Sequence, residues 1–167
     1  MPAIADVIPL RRTPTDIRVL LRTALAPLQG QAAAADVGLV VEVSEDVPAN
    51  VSIDRAKIAW AVTALVGNAL RYVRHGSKTM PGGSIVVRAT RDAAAPDVEI
   101  DVQDDGPGIA RDRVEALFGK GTGIPGPGLA LLMVRDVVTA HGGTLWIDSH
   151  VSGWMHGTTV RITLPIG

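Results

Sequence analysis

The stretch DVEIDVQDDGPGIA, residues 97–110, combines a strand pattern with a sharp turn. Apolar and polar residues alternate over 97–103, which is typical of a strand with one buried face. Two aspartates and two glycines then surround Pro107, a composition typical of a turn. Two interpretations stay open. The segment is a plain turn, or it is the floor of a nucleotide pocket in which the glycines admit a flat ligand and Asp104 accepts a hydrogen bond from an exocyclic amine.

Composition limits the classes of protein to consider. The 167 residues suffice for one domain, and 47% of them are apolar while only 3% are aromatic, so the core must be aliphatic. A net charge of -1 gives no general attraction to nucleic acid or to an anionic membrane. The absence of cysteine excludes disulfides, thiolate metal sites and cysteine nucleophiles. No apolar run approaches the roughly 20 residues of a membrane helix. We therefore expect a cytoplasmic domain that contacts neither nucleic acid nor the membrane directly.

The order of predicted elements indicates the fold class. A first helix is expected from Thr13 as N-cap, weakened at Pro27 and Gly30 and ended by Gly38, and a second from Asp54 as N-cap to about Arg74. A short helix over 110–119 and an apolar helix over 129–141 follow, and strands are predicted over 39–44, 84–91, 97–103, 144–151 and 158–166. Neighbouring strands joined by short loops predict an α+β two-layer sandwich, with a mixed, mostly antiparallel sheet of about five strands and three main helices on one face.

Polar side chains on the second helix form a candidate phosphate site. Asn68 and Arg71 share a face with His75 near the helix end, and Tyr72 flanks them. An amide oxygen is a suitable hard ligand for Mg²⁺, and a guanidinium meets phosphate with a fork of donors. The alternative is that Asn68 simply faces solvent.

A second candidate is the loop KGTGIPGPG, residues 120–128, which leads into the apolar helix. A helix start preceded by glycines favours anions through its free N–H groups and its dipole, and Lys120 could close over phosphates. A solvated linker is the alternative. The match of GTGIPG to a dinucleotide fingerprint fails because no strand precedes it, and FGKGT lacks the spacing of a P-loop.

The segments NALRY, DDGPGI, GPGLAL, HGG and GTTVRITLP, in this order, resemble the ATP-binding domain of sensor histidine kinases. That domain belongs to the wider group shared with gyrase, a heat-shock chaperone and mismatch-repair ATPases. The resemblance implies a Bergerat-type fold with ATP and Mg²⁺ as cofactors. It also implies that residues 13–167 form the ATP-binding domain and that residues 1–12 lead in from a missing dimerisation helix.

The resemblance assigns roles residue by residue. Asn68 matches the Mg²⁺-coordinating asparagine and Arg71 the basic residue after it; together with Lys120, predicted from the loop itself, they form the expected catalytic set. Asp104 matches the adenine-reading aspartate, and Phe118 looks like the start of an ATP lid over about 118–127. The implied cofactor-binding residues are Asn68, Arg71, Tyr72, Asp104, Gly106, Gly108, Ile109, Gly126, Gly128, Leu129 and Thr158, with Thr159 as the alternative to Thr158.

Departures from the family pattern narrow the implied function. Pro127 and Ala130 stand where the family often has a small polar residue and a glycine, which indicates a stiffer lid. Ala64 lies one turn before Asn68, where hydrolysing members and anti-sigma-type serine kinases carry a glutamate base. Without that base, phosphoryl transfer to a neutral imidazole is favoured over hydrolysis.

The implied function is transfer of the ATP γ-phosphate to a histidine on a separate dimerisation domain, followed by transfer to a response regulator. The chain alone is expected to be monomeric and to hydrolyse little ATP. In a membrane-bound sensor it would be the cytoplasmic part. An anti-sigma-type serine kinase and a non-catalytic nucleotide-binding module stay open as alternatives.

Overall fold

The computed structural model describes residues 8–92, 94, 96–108, 127–151 and 156–166. The three helices in this part of the chain are α1 (Ile17–Ala34), α2 (Arg55–Tyr72) and α3 (Pro127–Ala140). The strands are β1 (Thr13–Thr15), β2 (Gly38–Val43), β3 (Val51–Ile53), β4 (Ser84–Asp92), β5 (Asp97–Asp104), β6 (Thr144–His150) and β7 (Gly157–Pro165). This confirms the predicted two-layer α+β sandwich with three main helices.

The main sheet has five strands in the order β2-β4-β5-β7-β6. Only β2 and β4 are parallel, and the other three neighbouring pairs are antiparallel. The sheet is therefore mixed and mostly antiparallel, as predicted. β5 lies in its middle, and the register sets Asp104 at the end of β5 opposite Ile85 on one side and Thr158 on the other.

The core lies between the helices and one face of this sheet, and it is aliphatic as the composition required. Every second residue of β5, from Val98 to Val102, is buried. α2 also buries residues at helical spacing, namely Ile58, Val62, Leu65 and Ala69. Alternation in the strands and helical spacing in α2 thus direct the same aliphatic residues into one core.

The start of the first helix was predicted wrongly. Thr13 does not cap it, because residues 13–15 form β1, which pairs antiparallel with β3. The N-cap is Asp16, whose Oδ1 accepts a hydrogen bond from the Arg18 N–H at 2.9 Å. Thr13 and Asp16 are both good capping residues, but Thr13 is part of the β1–β3 pairing, so the helix begins after Asp16.

Other boundaries differ less. α1 continues through Pro27 and ends at Ala34, so Gly38 begins β2 instead of ending the helix. Asp54 caps α2 as predicted, by accepting from the Lys57 N–H at 3.2 Å. The short helix predicted over 110–119 lies outside the described residues. None of the helices in the described ranges combines the length and apolar composition needed to cross a bilayer.

Two glycines give opposite expectations for stability. Gly30 lies inside α1 with nothing near the position of a Cβ, so Gly30→Ala should raise the free energy of unfolding by about 0.5–1 kcal/mol. A Cβ on Gly143 would overlap the Thr163 carbonyl oxygen, so Gly143→Ala should lower it by about 1–3 kcal/mol. Urea unfolding of both variants measures the difference. Equal stabilities would contradict the packing of residue 143 against β7.

Candidate functional site

The end of β5 carries a half-buried carboxylate held by backbone donors. Asp104 Oδ1 accepts a hydrogen bond from the Gly106 N–H at 2.8 Å, and the Thr158 N–H also donates to this carboxylate. Both donors are backbone groups, so the position of the carboxylate depends on the path of the chain more than on neighbouring side chains. Asp104 is thus oriented by the turn that follows it and by the start of β7.

Three glycines bring the backbone close to this carboxylate. A Cβ on Gly106 would lie 2.9 Å from Asp104 Oδ1. Gly108 has φ +79° and packs against the His150 carbonyl, and Gly157 has φ +147° and packs against the Asp104 carbonyl. At Gly108 and Gly157 no other residue fits without displacing backbone, whereas a side chain at Gly106 would displace the Asp104 carboxylate. The turn chemistry inferred from the sequence therefore has a structural reason in close backbone approach.

Thr158 completes the surroundings of Asp104. It is 8% exposed and its Oγ1 lies 2.8 Å from Ser149 Oγ on β6. The register sets Thr158 opposite Asp104, whereas Thr159 is opposite Gln103. Of the two threonines named from the sequence, the structure thus places Thr158 beside the carboxylate.

The turn contains two interactions that sequence reasoning missed. His156 Nδ1–H donates to the Gly106 carbonyl oxygen at 2.6 Å, across 50 positions of the chain. Asp105 accepts a hydrogen bond from the Ser84 N–H at 2.8 Å. The two aspartates therefore have different partners: Asp105 ties the turn to β4, and Asp104 accepts from the turn itself at Gly106.

The electrostatics of Asp104 differ from those of an exposed aspartate. Burial raises its pKa above the ordinary aspartate value, and the nearby charge of Asp105 acts in the same direction. Hydrogen bonds from the Gly106 and Thr158 N–H groups oppose these effects. A partly desolvated carboxylate is a stronger hydrogen-bond partner for a ligand N–H group than one in water.

The C-terminal end of α2 meets this turn. The Tyr72 carbonyl lies close to Gly106, and its side chain is 45% exposed. Asn68 is half-buried and Arg71 is exposed, and both lie within the last five residues of α2. His75 does not continue their face: it follows the helix, and its Nε2–H donates to the Leu70 carbonyl at 3.0 Å. The end of α2 at Tyr72 thus reaches the turn after Asp104, more than 30 positions later in the chain.

The described residues offer few ligands for a metal. No group of three or more His, Asp or Glu side chains in the described ranges is arranged to hold an ion. The amide oxygen of Asn68 suits Mg²⁺, which is commonly held by one or two protein oxygens together with phosphates of a bound substrate. The chemistry of this site therefore fits a metal that arrives with a phosphorylated ligand.

Several residues named from the sequence lie outside the described part of the chain. These are Ile109, Phe118, Lys120, Gly126 and the predicted lid as far as residue 126. Pro127, Gly128 and Leu129 form the first turn of α3, so the helix predicted after the glycine-rich loop is present and begins two residues early.

Comparison with known proteins gives one family. The model of the histidine kinase-, DNA gyrase B- and HSP90-like ATPase family matches residues 53–167. Among curated relatives, the adaptive-response sensory kinase SasA of Crocosphaera subtropica is 31% identical over 134 residues. The alignment covers 77% of this chain and 32% of SasA, so the chain spans about a third of that relative.

Solved structures share the fold. The catalytic domain of histidine kinase ThkA aligns with a TM-score of 0.77 at 20% identity, over 94% of this chain and 97% of that one. Full-length ShkA in complex with AMPPNP aligns with a TM-score of 0.77 at 22% identity, over 96% of this chain and 32% of ShkA. A complex of ThkA with the response regulator TrrA aligns with a TM-score of 0.71 at 20% identity, over 93% and 42%.

The environment of Asp104 predicts a titration that can be measured directly. Its carboxyl should take up a proton at a higher pH than an ordinary aspartate, because burial disfavours the charged form. Asp105→Asn removes a neighbouring negative charge and should lower the pKa of Asp104. Carbon-detected NMR of the carboxyl groups measures both. Glu45→Gln is the control, because Glu45 lies beyond the end of β2 that points away from Asp104, and it should leave the pKa of Asp104 unchanged. If Asp104 titrates like an ordinary aspartate, its half-buried position would be contradicted.

Proposed function

The chain belongs to the family of histidine kinase-, DNA gyrase B- and HSP90-like ATPases, and we propose that it is the ATP-binding catalytic domain of a sensor histidine kinase. One observation carries the proposal. At the end of β5, the Asp104 carboxylate is held by the Gly106 N–H within a turn that only glycines permit, beside the end of the helix that carries Asn68. This arrangement suits a flat base with an amino group and a phosphate chain that extends along α2.

In this proposal the adenine end of ATP lies against the turn. Asp104 accepts a hydrogen bond from the exocyclic amine, and the absence of side chains at Gly106 and Gly108 leaves room for the flat ring. Thr158, fixed by Ser149 and paired with Asp104, borders the same pocket. Tyr72, exposed at the end of α2, is available to cover the nucleotide.

The phosphates would then lie along α2 and the start of α3. Asn68 would offer its amide oxygen to Mg²⁺, and Arg71 would donate to phosphate oxygens. The metal, when bound, neutralises charge on the phosphates. The free N–H groups at the start of α3, around Gly128 and Leu129, favour the same anion. The proposed site also includes residues predicted from the sequence alone, namely Ile109, Lys120, Gly126 and a lid over about 118–127.

The proposed reaction is in-line transfer of the γ-phosphate to a histidine on a separate dimerisation domain. Such a transfer requires that the reacting groups are positioned and that the charge of the phosphates is neutralised. Ala64, half-buried one turn before Asn68, carries no carboxylate to activate water or a serine hydroxyl. A neutral imidazole needs no such base. Ala64 therefore favours histidine as acceptor and little ATP hydrolysis by the chain alone.

The comparisons support the assignment to signalling. SasA is a sensory kinase, ShkA has been solved with AMPPNP, and ThkA has been solved with a response regulator. We propose by analogy that residues 13–167 form one catalytic domain, and the near-complete overlap with the ThkA catalytic domain supports this extent. The phosphoacceptor domain and a response regulator are the proposed partners. We expect the isolated domain to be monomeric and to act in the cytoplasm.

Calorimetric titration of ATP with and without Mg²⁺ tests the nucleotide site. Asp104→Asn should weaken ATP binding by roughly 1.5–3 kcal/mol in both conditions, because a hydrogen bond to a charged group is lost. Asn68→Ala should remove the gain in affinity that Mg²⁺ gives and leave metal-free binding unchanged. Asp97→Asn, at the other end of β5, is the matched control. A change below about 0.5 kcal/mol for Asp104→Asn would show that this residue does not read adenine.

The acceptor is tested separately. With labelled ATP and the dimerisation domain of a related kinase, the phosphoryl group should be lost in acid and kept in base, as expected for phosphohistidine. Label that survives acid would indicate a serine kinase. Tight ATP and ADP binding without transfer to any acceptor would indicate a nucleotide-binding module.

A further inference from the structure

His141 is a buried histidine for which the proposed site has no use. It is 2% exposed and follows α3 directly. In the structure its ring bridges two helices. Nδ1 lies 2.8 Å from the Val137 carbonyl oxygen of α3, and the Asp54 N–H, at the start of α2, donates to Nε2 at 3.0 Å.

These contacts fix the protonation state of the ring. Nε2 accepts a hydrogen bond from a backbone N–H and therefore carries no proton. Nδ1 must then carry the proton, which it donates to the Val137 carbonyl. Burial lowers the pKa of His141, and the hydrogen bond to Val137 opposes it; the charges of Arg12 and Lys57 lower the pKa further, and the Asp54 carboxylate raises it. The neutral ring that the geometry requires is thus also favoured by its surroundings.

The chain that enters the domain is attached at the same point. The Arg11 N–H donates to Asp54 Oδ2 at 2.9 Å, and Arg12 Nη2 donates to the His141 carbonyl at 3.4 Å. Arg12 Nη1 also donates to Ser52 of β3 at 3.1 Å. The hydrogen bonds from Arg11 and Lys57 lower the pKa of Asp54 to about 2, although burial acts to raise it. The entering chain, the start of α2 and the end of α3 therefore form one hydrogen-bonded junction.

We infer that His141 is a positioning residue, which sets the placement of α3 relative to α2 and so aligns the phosphate-binding end of α3 with Asn68. This inference rests on the proposed nucleotide site. α2 leaves the junction at Asp54 and reaches Asn68 after 14 residues, and α3, also of 14 residues, runs from Pro127 back to the junction. At 1.5 Å per residue, the junction and the phosphates are separated by roughly 20 Å.

The length of the helices explains why a distant contact matters. Over about 20 Å, a tilt of about 5° at His141 moves the far end of α3 by about 2 Å. Misplacement by about 1 Å is enough to impair reactions that depend on positioning. Asp104 is insensitive to such a tilt, because β5 is held on both sides by hydrogen-bonded strands. Loss of the His141 bridge should therefore weaken contacts to phosphate and spare those to adenine.

Two variants of His141 separate its two hydrogen bonds. In His141→Asn the amide nitrogen can still donate to Val137, but nothing accepts from the Asp54 N–H. In His141→Gln the longer side chain brings an amide oxygen towards the position of Nε2 and restores that acceptor. Val138→Ala, which removes buried methyl groups next to His141 and cuts no hydrogen bond, is the control for general destabilisation.

The experiment compares ATP with adenosine in the 167-residue chain at about 10 °C, with folding checked by circular dichroism. His141→Asn should bind ATP about tenfold more weakly, as expected if about one hydrogen bond to phosphate is lost. Its affinity for adenosine should stay within about twofold of the wild-type value. His141→Gln should recover ATP affinity to within about threefold, and Val138→Ala should melt at a lower temperature with an unchanged ratio of the two affinities. Adenosine is measured by competition against ATP.

The outcomes separate this inference from the proposed function. A wild-type chain that binds neither ligand would overturn the proposed function itself. Wild-type binding together with an equal loss of ATP and adenosine in His141→Asn, or with no loss, would overturn the positioning role alone. If His141→Asn does not fold, the variant Arg12→Ala tests the inference instead, because Arg12 lies on the surface and donates to the His141 carbonyl. This variant should bind ATP about twofold to threefold more weakly and adenosine with unchanged affinity. An unchanged ATP affinity would refute the inference.

Discussion

The approach of Gly157 to the Asp104 carbonyl oxygen is the contact on which the candidate site depends. It lets β7 begin directly beside the end of β5, which sets Thr158 opposite Asp104 in the ladder. The same register brings Ser149 of β6 to Thr158. A side chain at position 157 would separate these strands at the point where the carboxylate is held.

The turn after β5 also depends on residues that carry no side chain. Gly106 admits the carbonyl of Tyr72, and Gly108 admits that of His150, so the ends of α2 and β6 both reach the turn. His156 and Asp105 then tie it to the chain before β7 and to β4. The half-buried carboxylate of Asp104 is thus held within a frame made almost entirely of backbone. Such a frame is rigid because packed strands and short turns leave the backbone few alternative conformations.

The sequence predicted the elements with local signals and missed the contacts made over long distances. The hairpins β4–β5 and β6–β7, and α2 with Asp54 as its cap, follow from alternation, helical spacing and capping chemistry within a few residues. The β1–β3 pairing joins two three-residue strands about 38 positions apart, too short to carry a pattern of their own, and without it Thr13 was as good a cap as Asp16. Asp104 could be named from the motif order, but the roles of Gly157, His156 and His141 arise only when the strands and helices are brought together. Lys120, Ile109 and Gly126 lie outside the described residues and stay predictions.

The way in which the site would hold a metal follows from its shortage of carboxylates. Of the aspartates at the turn, Asp105 accepts a hydrogen bond from the Ser84 N–H, Asp104 is assigned to the base in the proposed site, and the described residues form no cluster of three metal ligands. Asn68 offers a neutral oxygen, which contributes little to the affinity for a free cation compared with a carboxylate. Mg²⁺ would therefore be bound mainly by the phosphates of the nucleotide, with Asn68 orienting the ion. In such a site the metal and the nucleotide bind as one unit, and the position of α2 relative to the phosphates decides how the γ-phosphate is presented. The alignment of α2 with α3 is then as important for the proposed transfer as the identity of any single residue in the pocket.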